Sequence, residues 1–385
     1  MTSNYDVIVL GIGSMGAATC YNLARDGYKV LGLEQFSIPH EEGSHGGQSR
    51  ITRKAYFEHA DYVPLLSRAY ENCRELEEST GHQLYFKTGL LYAGPSDHAV
   101  IQGVKNAASL FNIDLEKLSQ KELSERYPSF NYVNNFEYVF EPDAGFLLPG
   151  KMIDLYVQEA ITAGAVVNTN ERTINWSKEG DVITVTTDKG SYSASKLIIT
   201  AGAWVNKMIS LSVPLRITRQ LIVWVRPSSP QKFYSSNFPC WMVATHDIHG
   251  VYYGFPYLEA EQFGEPSGLK FAWHNPAEET DPDNVNRNIT DEEVKDVVNR
   301  VKQYIPDVIS TIVEAKTCLY TNSPDEDFII DHLPGHDKAV TIATGFSGHG
   351  FKFAPAMGEI LAEMAMKGES SLPIEFLGLE RFGRS

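Results

Sequence analysis

The feature that most constrains the fold is a glycine-rich loop that directly follows an apolar run near the start of the chain. Residues 7–10, Val-Ile-Val-Leu, have the composition of a buried parallel strand, and Gly11, Gly13 and Gly16 come next with G-x-G-x-x-G spacing. The first glycine permits a tight turn, the second lets a pyrophosphate approach the backbone, and the third lets a helix pack closely on the strand. The spacing predicts a nucleotide-binding unit whose helix covers about residues 15–25 and directs its free N–H groups at phosphates.

An acid follows the second predicted strand, where such units contact a ribose. This strand is predicted over residues 29–33, and Glu34 comes directly after it. An acid here accepts hydrogen bonds from ribose hydroxyls and favours FAD or NAD over NADP. Glycines alone also mark ordinary turns, but strand, helix and acid occur together in this chain. Ser14 and Met15 begin the helix, so they are assigned to the cofactor site with Glu34 and the three glycines.

Composition and charge argue against several classes of partner. The 385 residues suffice for two or three domains, and 43% apolar content supports a sizeable core. A net charge of −16, from 33 Lys and Arg against 49 Asp and Glu, disfavours nucleic acid and anionic membranes. A cytoplasmic protein is expected, since no signal, transit or bilayer-spanning segment is evident. Neither a metal site nor a disulfide framework is expected from the cysteines, Cys20, Cys73, Cys240 and Cys318.

Periodicity and capping patterns predict the remaining elements and the fold class. Further helices are predicted over residues 62–79, 98–111, 119–127, 151–163, 290–304 and 355–366. Further strands are predicted over residues 86–92, 166–169, 174–176, 182–187, 196–200, 216–225, 240–244, 251–255, 269–274 and 339–343. This order indicates an α/β plus α+β protein, in which a Rossmann-type dinucleotide-binding domain, an FAD-binding domain according to the resemblance described below, accompanies a second domain built on a large, mainly antiparallel sheet. The FAD domain is assigned residues 1–83, 142–214 and 322–385, and the substrate domain residues 84–141 and 215–321.

Two further glycine-bearing segments are candidates for the site. Near the C-terminal end, Gly345, Gly348, His349 and Gly350 lie between the last predicted strand and helix, and would direct a second helix N-terminus at the same cofactor. A large dinucleotide such as FAD can use two such termini. The other segment is a cationic run at residues 45–56; if it is helical, Arg50 and Arg53, which are three apart, share a face.

These motifs together resemble the monomeric sarcosine oxidase and N-methyltryptophan oxidase family of flavin amine oxidases. The resemblance covers nearly the whole chain in the right order, and its C-terminal motifs are more specific than the glycine loop. It rests on the N-terminal fingerprint, His45 through Arg53, Tyr253-Gly-Phe-Pro, the pair Lys270 and His274, Cys318-Leu-Tyr-Thr, Phe328-Ile-Ile-Asp and Gly348-His-Gly-Phe-Lys352.

The resemblance implies how the cofactor is held. Cys318 matches the cysteine that binds FAD covalently through a thioether to the 8-methyl carbon, although from the residues alone an inert buried thiol would be favoured. Arg50 matches an arginine packed over a flavin face, where its charge would stabilise the reduced, anionic flavin. His45, Ser49 and His349 lie in the flavin loops and are expected to contact the cofactor.

The resemblance also implies a substrate site. Arg53 and Lys352 match the family's carboxylate clamp, and an arginine fork with an ammonium makes an anion site in an otherwise acidic chain. Tyr253, His274 and Tyr320 match residues that line the substrate cavity. Each clamp residue taken alone would be interpreted as a solvated surface charge, and the histidine as a satisfied core residue.

Lys270 matches the lysine credited with oxygen activation, linked to the flavin through water. A fixed cation would stabilise the negative charge that develops on O2 as it is reduced. If its segment is a strand, Lys270 and His274 lie on one face. The implied reaction takes a hydride equivalent from the N-methyl carbon of a neutral secondary amine and releases an imine that hydrolyses. The products are the demethylated amino acid, formaldehyde and H2O2, and no side chain is assigned as a base.

Two stretches depart from the family pattern and leave the substrate open. Residues 46–49 are Gly-Gly-Gln-Ser, where relatives have a His-Gly-Asp-Thr type of run, and the connection over residues 257–268 is longer. The leading expectation is a monomeric oxidase of N-methyl amino acids. The alternatives are an oxidase of a bulkier or cyclic secondary amine (N-methyltryptophan, pipecolate or a fructosyl amino acid), a flavin dehydrogenase with a non-oxygen acceptor, and a non-enzymatic nucleotide-binding protein.

Overall fold

The computed structural model describes residues 4–247, 249–274 and 277–383. The strands of these residues are β1 Asn4–Leu10, β2 Val30–Leu33, β3 Arg50–Thr52, β4 Tyr85–Lys87, β5 Leu90–Pro95, β6 Glu116–Leu118, β7 Phe136–Glu141, β8 Gly145–Leu147, β9 Val166–Asn168, β10 Thr173–Glu179, β11 Val182–Thr187, β12 Ser191–Ile199, β13 Arg216–Arg226, β14 Cys240–Ala244, β15 Val251–Leu258, β16 Gly268–His274, β17 Thr311–Asn322, β18 Ile329–His332 and β19 Val340–Thr344. The helices are α1 Ser14–Arg25, α2 Tyr62–Thr80, α3 Ala99–Phe111, α4 Gln120–Arg126, α5 Pro149–Thr162, α6 Val205–Met208, α7 Ala260–Phe263, α8 Asp291–Val301 and α9 Ala354–Lys367.

The first large sheet brings two glycine loops together at the carboxyl ends of its parallel strands. Its parallel strands run in the order β9, β2, β1, β12 and β19, while β10, β11 and β18 add antiparallel pairs. Helices α1, α5 and α9 pack together, and their apolar side chains share a core with one face of β1. Strands β1, β12 and β19 end at neighbouring positions, so the loops that follow them meet where dinucleotides bind in such sheets.

Two of the N-terminal glycines are required by close backbone contacts. Gly11 has φ +89°, and a Cβ there would lie 2.6 Å from the carbonyl oxygen of Thr200. A Cβ on Gly16 would lie 2.0 Å from the carbonyl oxygen of Gly11. The predicted tight turn and close packing of helix on strand are therefore confirmed.

The second large sheet is mainly antiparallel, as predicted. Its order is β17, β13, β16, β15, β14, β5, β7 and β6, and only the pair β14 and β5 is parallel within the described strands. Helix α8 covers one face with a row of buried valines. The predicted capping pattern starts this helix: Thr290 Oγ1 accepts from the N–H of Glu293 at 3.2 Å, and the Glu293 carboxylate accepts from the N–H of Thr290 at 2.7 Å.

The observed elements differ from the predicted ones at several places. The single strand expected over residues 86–92 is two strands, β4 and β5, in different sheets, because the chain turns at Gly89 with φ +70°. Residues 50–52 form strand β3 and not a helix, so a shared helical face does not relate Arg50 and Arg53. Helices α6 and α7 and strands β3, β6, β7, β8, β17 and β18 have no predicted counterpart.

A small sheet of β3, β8 and β4 joins segments that the predicted domain division separates. Strand β4 lies in the stretch assigned to the substrate domain, and it pairs with β8 from the stretch assigned to the FAD domain. The residue bounds of the two domains stay a prediction. None of the helices in the described ranges has the length and apolarity that a transmembrane span requires.

Candidate active site

A large cavity lies between the glycine loops of the first sheet and the face of the second. Its empty volume is about 1830 Å³, including open solvent at the mouth. The predicted site residues that line it are Gly11, Gly13, Ser14, Met15, Glu34, His45, Arg50, Arg53, Tyr253, His274, Cys318, Tyr320, Gly348, His349, Gly350 and Lys352. The other predicted site residues, Gly16, Ser49, Lys270 and Gly345, are not among the residues that line it.

Glu34 braces the first glycine loop at one end of the cavity. Its Oε2 accepts from the N–H of Ile12 at 2.8 Å, and its Oε1 accepts from the N–H of Phe36 at 3.0 Å. Burial raises the pKa of Glu34, and these backbone N–H groups oppose the shift by favouring the carboxylate. The acid thus fixes the loop on which a pyrophosphate would lie, and its bond to a ribose stays a prediction.

Several buried polar atoms along the cavity have no protein partner. Within the described residues, no hydrogen bond reaches His45 Nε2, Arg53 Nε, Thr321 Oγ1 or Thr344 Oγ1, and all four residues line the cavity. Buried polar atoms are rarely left unpaired in a working protein. Together with two glycine loops that open helices, these atoms suit a long polar ligand, so the residues present fit FAD. No metal-binding group of three or more His, Cys, Asp or Glu occurs in the part of the chain that the structure describes.

Arg53 is a fully buried cation held in a fixed plane. Its guanidinium lies between the rings of Tyr56 and Phe57, with Cζ 4.2 and 4.3 Å from their centroids. Nη2 donates to both carboxylate oxygens of Glu58, at 2.6 and 2.7 Å, and Nη1 donates to the carbonyl of Ala55 at 3.2 Å. Nε and one of the two N–H groups of Nη1 have no partner among the described residues. The guanidinium is therefore oriented in advance, as a bidentate anion site requires.

Lys352 is the second buried cation at this end. Its Nζ donates to the carbonyl oxygen of His349 at 2.6 Å. Burial lowers the pKa of Lys352 to about 7, with a further lowering from Arg53 that Glu58 opposes. Burial alone would raise the pKa of Glu58, but the charge of Arg53 outweighs it and lowers that pKa. Glu58, which was not predicted as a site residue, thus stays ionised and leaves the local charge positive.

His349 supports Lys352 through its backbone. The Tyr56 hydroxyl lies 2.5 Å from His349 Nδ1, and His349 Nε2 lies 3.0 Å from the carbonyl oxygen of Glu326. Burial lowers the pKa of His349 to about 3, so the ring is neutral: Nε2–H donates to the carbonyl, and Nδ1 accepts from tyrosine. Both ring nitrogens are thus occupied by protein groups, and its predicted contact with the cofactor would come from other atoms.

Arg50 and Lys270 share one carbonyl oxygen. The Arg50 guanidinium donates to the carbonyls of Ser44, Gly46 and Ser49 at 2.7, 2.6 and 2.8 Å. Lys270 Nζ donates to the same Ser49 oxygen at 2.5 Å. Arg50 therefore shapes the loop over residues 44–49, and that loop presents the acceptor for Lys270.

Lys270 is enclosed by aromatic rings. Its Nζ lies 4.7 Å from the centroid of Phe255 and 5.7 Å from that of Trp224, and the residue is 1% exposed. Burial, with a further contribution from Arg50, lowers the pKa of Lys270 well below its usual value. A nearby anion would oppose this shift by favouring the charged form.

Cys318 and three polar side chains form the wall on the second sheet. Cys318 and Tyr320 lie two residues apart on β17 and so share a face of that strand. The Tyr320 hydroxyl lies 3.3 Å from His274 Nδ1 and also bonds Tyr253. Burial lowers the pKa of His274 to about 4, so this histidine is neutral at pH 7. Burial raises the pKa of the Cys318 thiol, while Arg50 and Lys270 oppose the shift.

Comparison with known proteins gives one consistent result. A family model described as FAD dependent oxidoreductase matches residues 6–364. Monomeric sarcosine oxidase from Streptomyces avermitilis is 38% identical over 377 residues, covering 97% of each chain. N-methyl-L-tryptophan oxidase from Salmonella heidelberg is 33% identical and covers 99% of this chain and 100% of its own. The structure of NikD, an unusual amino acid oxidase essential for nikkomycin biosynthesis, has the same fold, with a TM-score of 0.86 at 23% identity over 98% of both chains. The resemblance inferred from the sequence is confirmed.

Proposed function

The chain belongs to the FAD-dependent oxidoreductases, and on that basis we propose that it oxidises an N-methyl amino acid with O2. The products would be the demethylated amino acid, formaldehyde and H2O2. The observation that carries the proposal is the buried pair Arg53 and Lys352 beside the glycine loops, a cationic site in a chain of net charge −16. The relatives named as sarcosine and N-methyltryptophan oxidases support it.

The cofactor site assigns a role to each glycine loop. The first loop with Ser14, Met15 and Glu34 would hold the nucleotide half of FAD, and the loop at residues 345–350 with His45 would hold the flavin half. FAD bound there supplies the two-electron acceptor for amine oxidation and passes the electrons to O2. Cys318 would carry the covalent thioether, a position supported by its place on the cavity wall and by the two cations that favour its thiolate.

The clamp would hold the substrate by its carboxylate. Arg53 would offer its Nε–H, and the Lys352 ammonium has two N–H groups besides the one it donates to His349. Both would donate charge-assisted hydrogen bonds. Glu58 keeps Nη2 engaged, so the substrate does not have to orient a free side chain when it binds.

The cations also favour the reactive form of the amine. Arg50, Arg53 and Lys352 line one cavity, and nearby positive charge stabilises the neutral amine over the ammonium. Tyr253, His274 and Tyr320 would bound the space around the amine, with His274 neutral. Lys270 would stabilise the negative charge that develops on O2, from its position on the Ser49 carbonyl.

A bulkier or cyclic secondary amine is the second candidate, and the apolar lining favours it. The apolar side chains that line the cavity include Ile51, Phe57, Met242, Val251 and Phe346. A bulkier side chain could pack on such surface, whereas sarcosine offers it little besides one methyl.

A substrate panel decides between the two candidates. Sarcosine, N-methyltryptophan, pipecolate and a fructosyl amino acid would be compared by O2 consumption, H2O2 and formaldehyde. The proposal expects the highest kcat/KM for sarcosine with all three signals in equal amounts. A higher value for a larger amine would favour the second candidate, and substrate oxidation with a dye but without H2O2 would overturn the oxidase assignment.

We also propose that the protein works as a monomer in the cytoplasm. Support comes from the net charge of −16, which disfavours nucleic acid and anionic membranes. The four cysteines, all within the described ranges, are free thiols. Light scattering behind a sizing column tests the assembly state, and a mass of twice the 42.9 kDa chain would contradict it.

A further inference from the structure

The two stretches that depart from the family pattern lie against each other. One is residues 46–49, and the other is residues 257–268, which connect β15 to β16. The side-chain amide of Gln48 donates from Nε2 to the carbonyl oxygens of Gly264 and Pro266, at 3.3 Å to the latter. Gln48 is 9% exposed, so these bonds are made inside the protein.

The strand after this connection carries Lys270. Gln48 bonds the connection through its side chain, and the next residue, Ser49, accepts from Lys270 Nζ through its carbonyl at 2.5 Å. The preceding residue also touches this region: a Cβ on Gly47 would lie 3.3 Å from the ring of Trp224, which is the register partner of Lys270 on β13. Gly47, Gln48 and Ser49 therefore all lie against the start of β16, the connection before it or the neighbouring strand β13.

The hydrogen bond from Lys270 depends on the orientation of the Ser49 carbonyl. It accepts from Arg50 Nη1 at 2.8 Å as well as from Lys270, so one oxygen lies between two cations that repel each other. Arg50 holds the inner side of the loop through Ser44 and Gly46. The Gln48 amide holds the outer side, against the connection. A small rotation of the Ser49 carbonyl would lengthen its bond to Lys270.

We propose that Gln48 is a positioning residue for Lys270: its amide ties residues 259–267 to residues 44–50 and so keeps the Ser49 carbonyl oxygen on the Lys270 ammonium. This inference rests on the role in oxygen reduction proposed above for Lys270. The carboxylate clamp is held by Glu58 and by the backbone of His349. Gln48 therefore governs the reaction with O2 and leaves amine oxidation intact.

The test compares two variants of the FAD-loaded protein. Gln48→Met keeps the size of the side chain and removes both N–H donors. Ser267→Ala is the matched control, because Ser267 Oγ accepts from the N–H of Ala260 at 2.8 Å and so braces the same connection without touching residues 44–50. Hydrogen exchange read by mass spectrometry reports on both segments independently of activity. Anaerobic mixing with substrate and later admission of O2 give the two half-reactions separately.

Gln48→Met should exchange faster at residues 44–50 and at residues 259–270. Reoxidation by O2 should slow about tenfold, because two hydrogen bonds worth ~0.5–1.5 kcal/mol each position the cation and tenfold corresponds to ~1.4 kcal/mol. Reduction by the amine should stay within about twofold (~0.4 kcal/mol), since the Gln48 amide donates to Gly264 and Pro266 and not to the carboxylate clamp. Ser267→Ala should exchange faster only at residues 259–267 and keep both half-reactions.

Opposite outcomes overturn the inference. It fails if Gln48→Met reoxidises at the parent rate, if both half-reactions slow together, or if exchange changes only at residues 259–267. Lys270→Met is measured in parallel: normal reoxidation in that variant removes the role of Lys270, and the inference with it. If reoxidation is slow in Lys270→Met but normal in Gln48→Met, the positioning role of Gln48 is refuted and the role of Lys270 stands. If Gln48→Met does not yield folded protein, Gln48→Leu, which is also uncharged and without N–H donors, takes its place with the same expectations.

Discussion

Binding of the substrate carboxylate should depend on pH through Lys352. Burial lowers the pKa of its ammonium to about 7 when no carboxylate is bound. Although burial opposes it, Glu58 raises the pKa of Arg53, whose charge therefore persists at every accessible pH. As pH rises through 7, Lys352 loses the proton that makes it a donor to an anion, while Arg53 keeps its own. Affinity should consequently fall with rising pH.

The loss of affinity cannot exceed the binding free energy that the Lys352 ammonium contributes. A charge-assisted hydrogen bond is worth ~1.5–3 kcal/mol, which is about 10- to 150-fold in the dissociation constant. Because a bound carboxylate raises the pKa of Lys352 by the same free energy, about 1–2 units, the dissociation constant should rise about tenfold per pH unit above 7 and then level off. The plateau should equal the value for a variant with no ammonium at this position.

The assay uses methoxyacetate, which has the shape of sarcosine but no amine to titrate. Its dissociation constant would be measured from the perturbation of the flavin spectrum between pH 6 and pH 9, for the parent protein and for Lys352→Met. The parent should weaken with pH and converge on Lys352→Met, whose own dependence should be flat. A flat profile for the parent, or an equal slope in Lys352→Met, would refute the clamp and the perturbed pKa together.

Two further predictions concern the cofactor. The parent should keep its yellow colour after denaturation and removal of small molecules, whereas Cys318→Ala should release all of it; release from the parent would refute the covalent link. Gly16→Ala should lose FAD binding and melt at a lower temperature, because the new Cβ would lie 2.0 Å from the Gly11 carbonyl oxygen. Gly150→Ala is its control, since the nearest heavy atom to a Cβ there is 4.0 Å away, and equal melting temperatures for the two would contradict the packing account.

The sequence was most informative where local chemistry determines local structure. The first glycine loop requires close approach of backbone atoms, and only glycine permits it at Gly16, so motif and geometry agree. The capping pattern at Thr290 sets the start of α8 through hydrogen bonds within four residues. Strand β14, a short apolar run, was predicted at its observed bounds, residues 240–244.

Short strands and distant contacts were not predictable in this way. Strands β3 and β8 have three residues each, too few to show a period, and each is defined by pairing with the other. Strand β17 shows no alternation of buried and exposed residues over most of its length. Such strands can be identified only when the strands that pair with them are known.

The same limit applies to the site. Glu58 is close to Arg53 in sequence, and an acid five residues after a candidate anion-binding arginine was a usable signal. Gln48 gave a weaker one, because its bonds to Gly264 and Pro266 join residues more than 200 positions apart. The family resemblance supplied Lys270 and Cys318 as candidates. Which carbonyl accepts from Lys270 required the three-dimensional structure.

The central claim is that this protein oxidises an N-methyl amino acid and delivers the electrons to O2. The most direct measurement mixes the FAD-loaded protein with excess sarcosine in the absence of oxygen, follows the visible flavin absorbance, and then admits air. The account predicts rapid bleaching followed by full recovery with formation of H2O2. An unchanged flavin spectrum in the presence of sarcosine, or bleaching that air does not reverse, would contradict it.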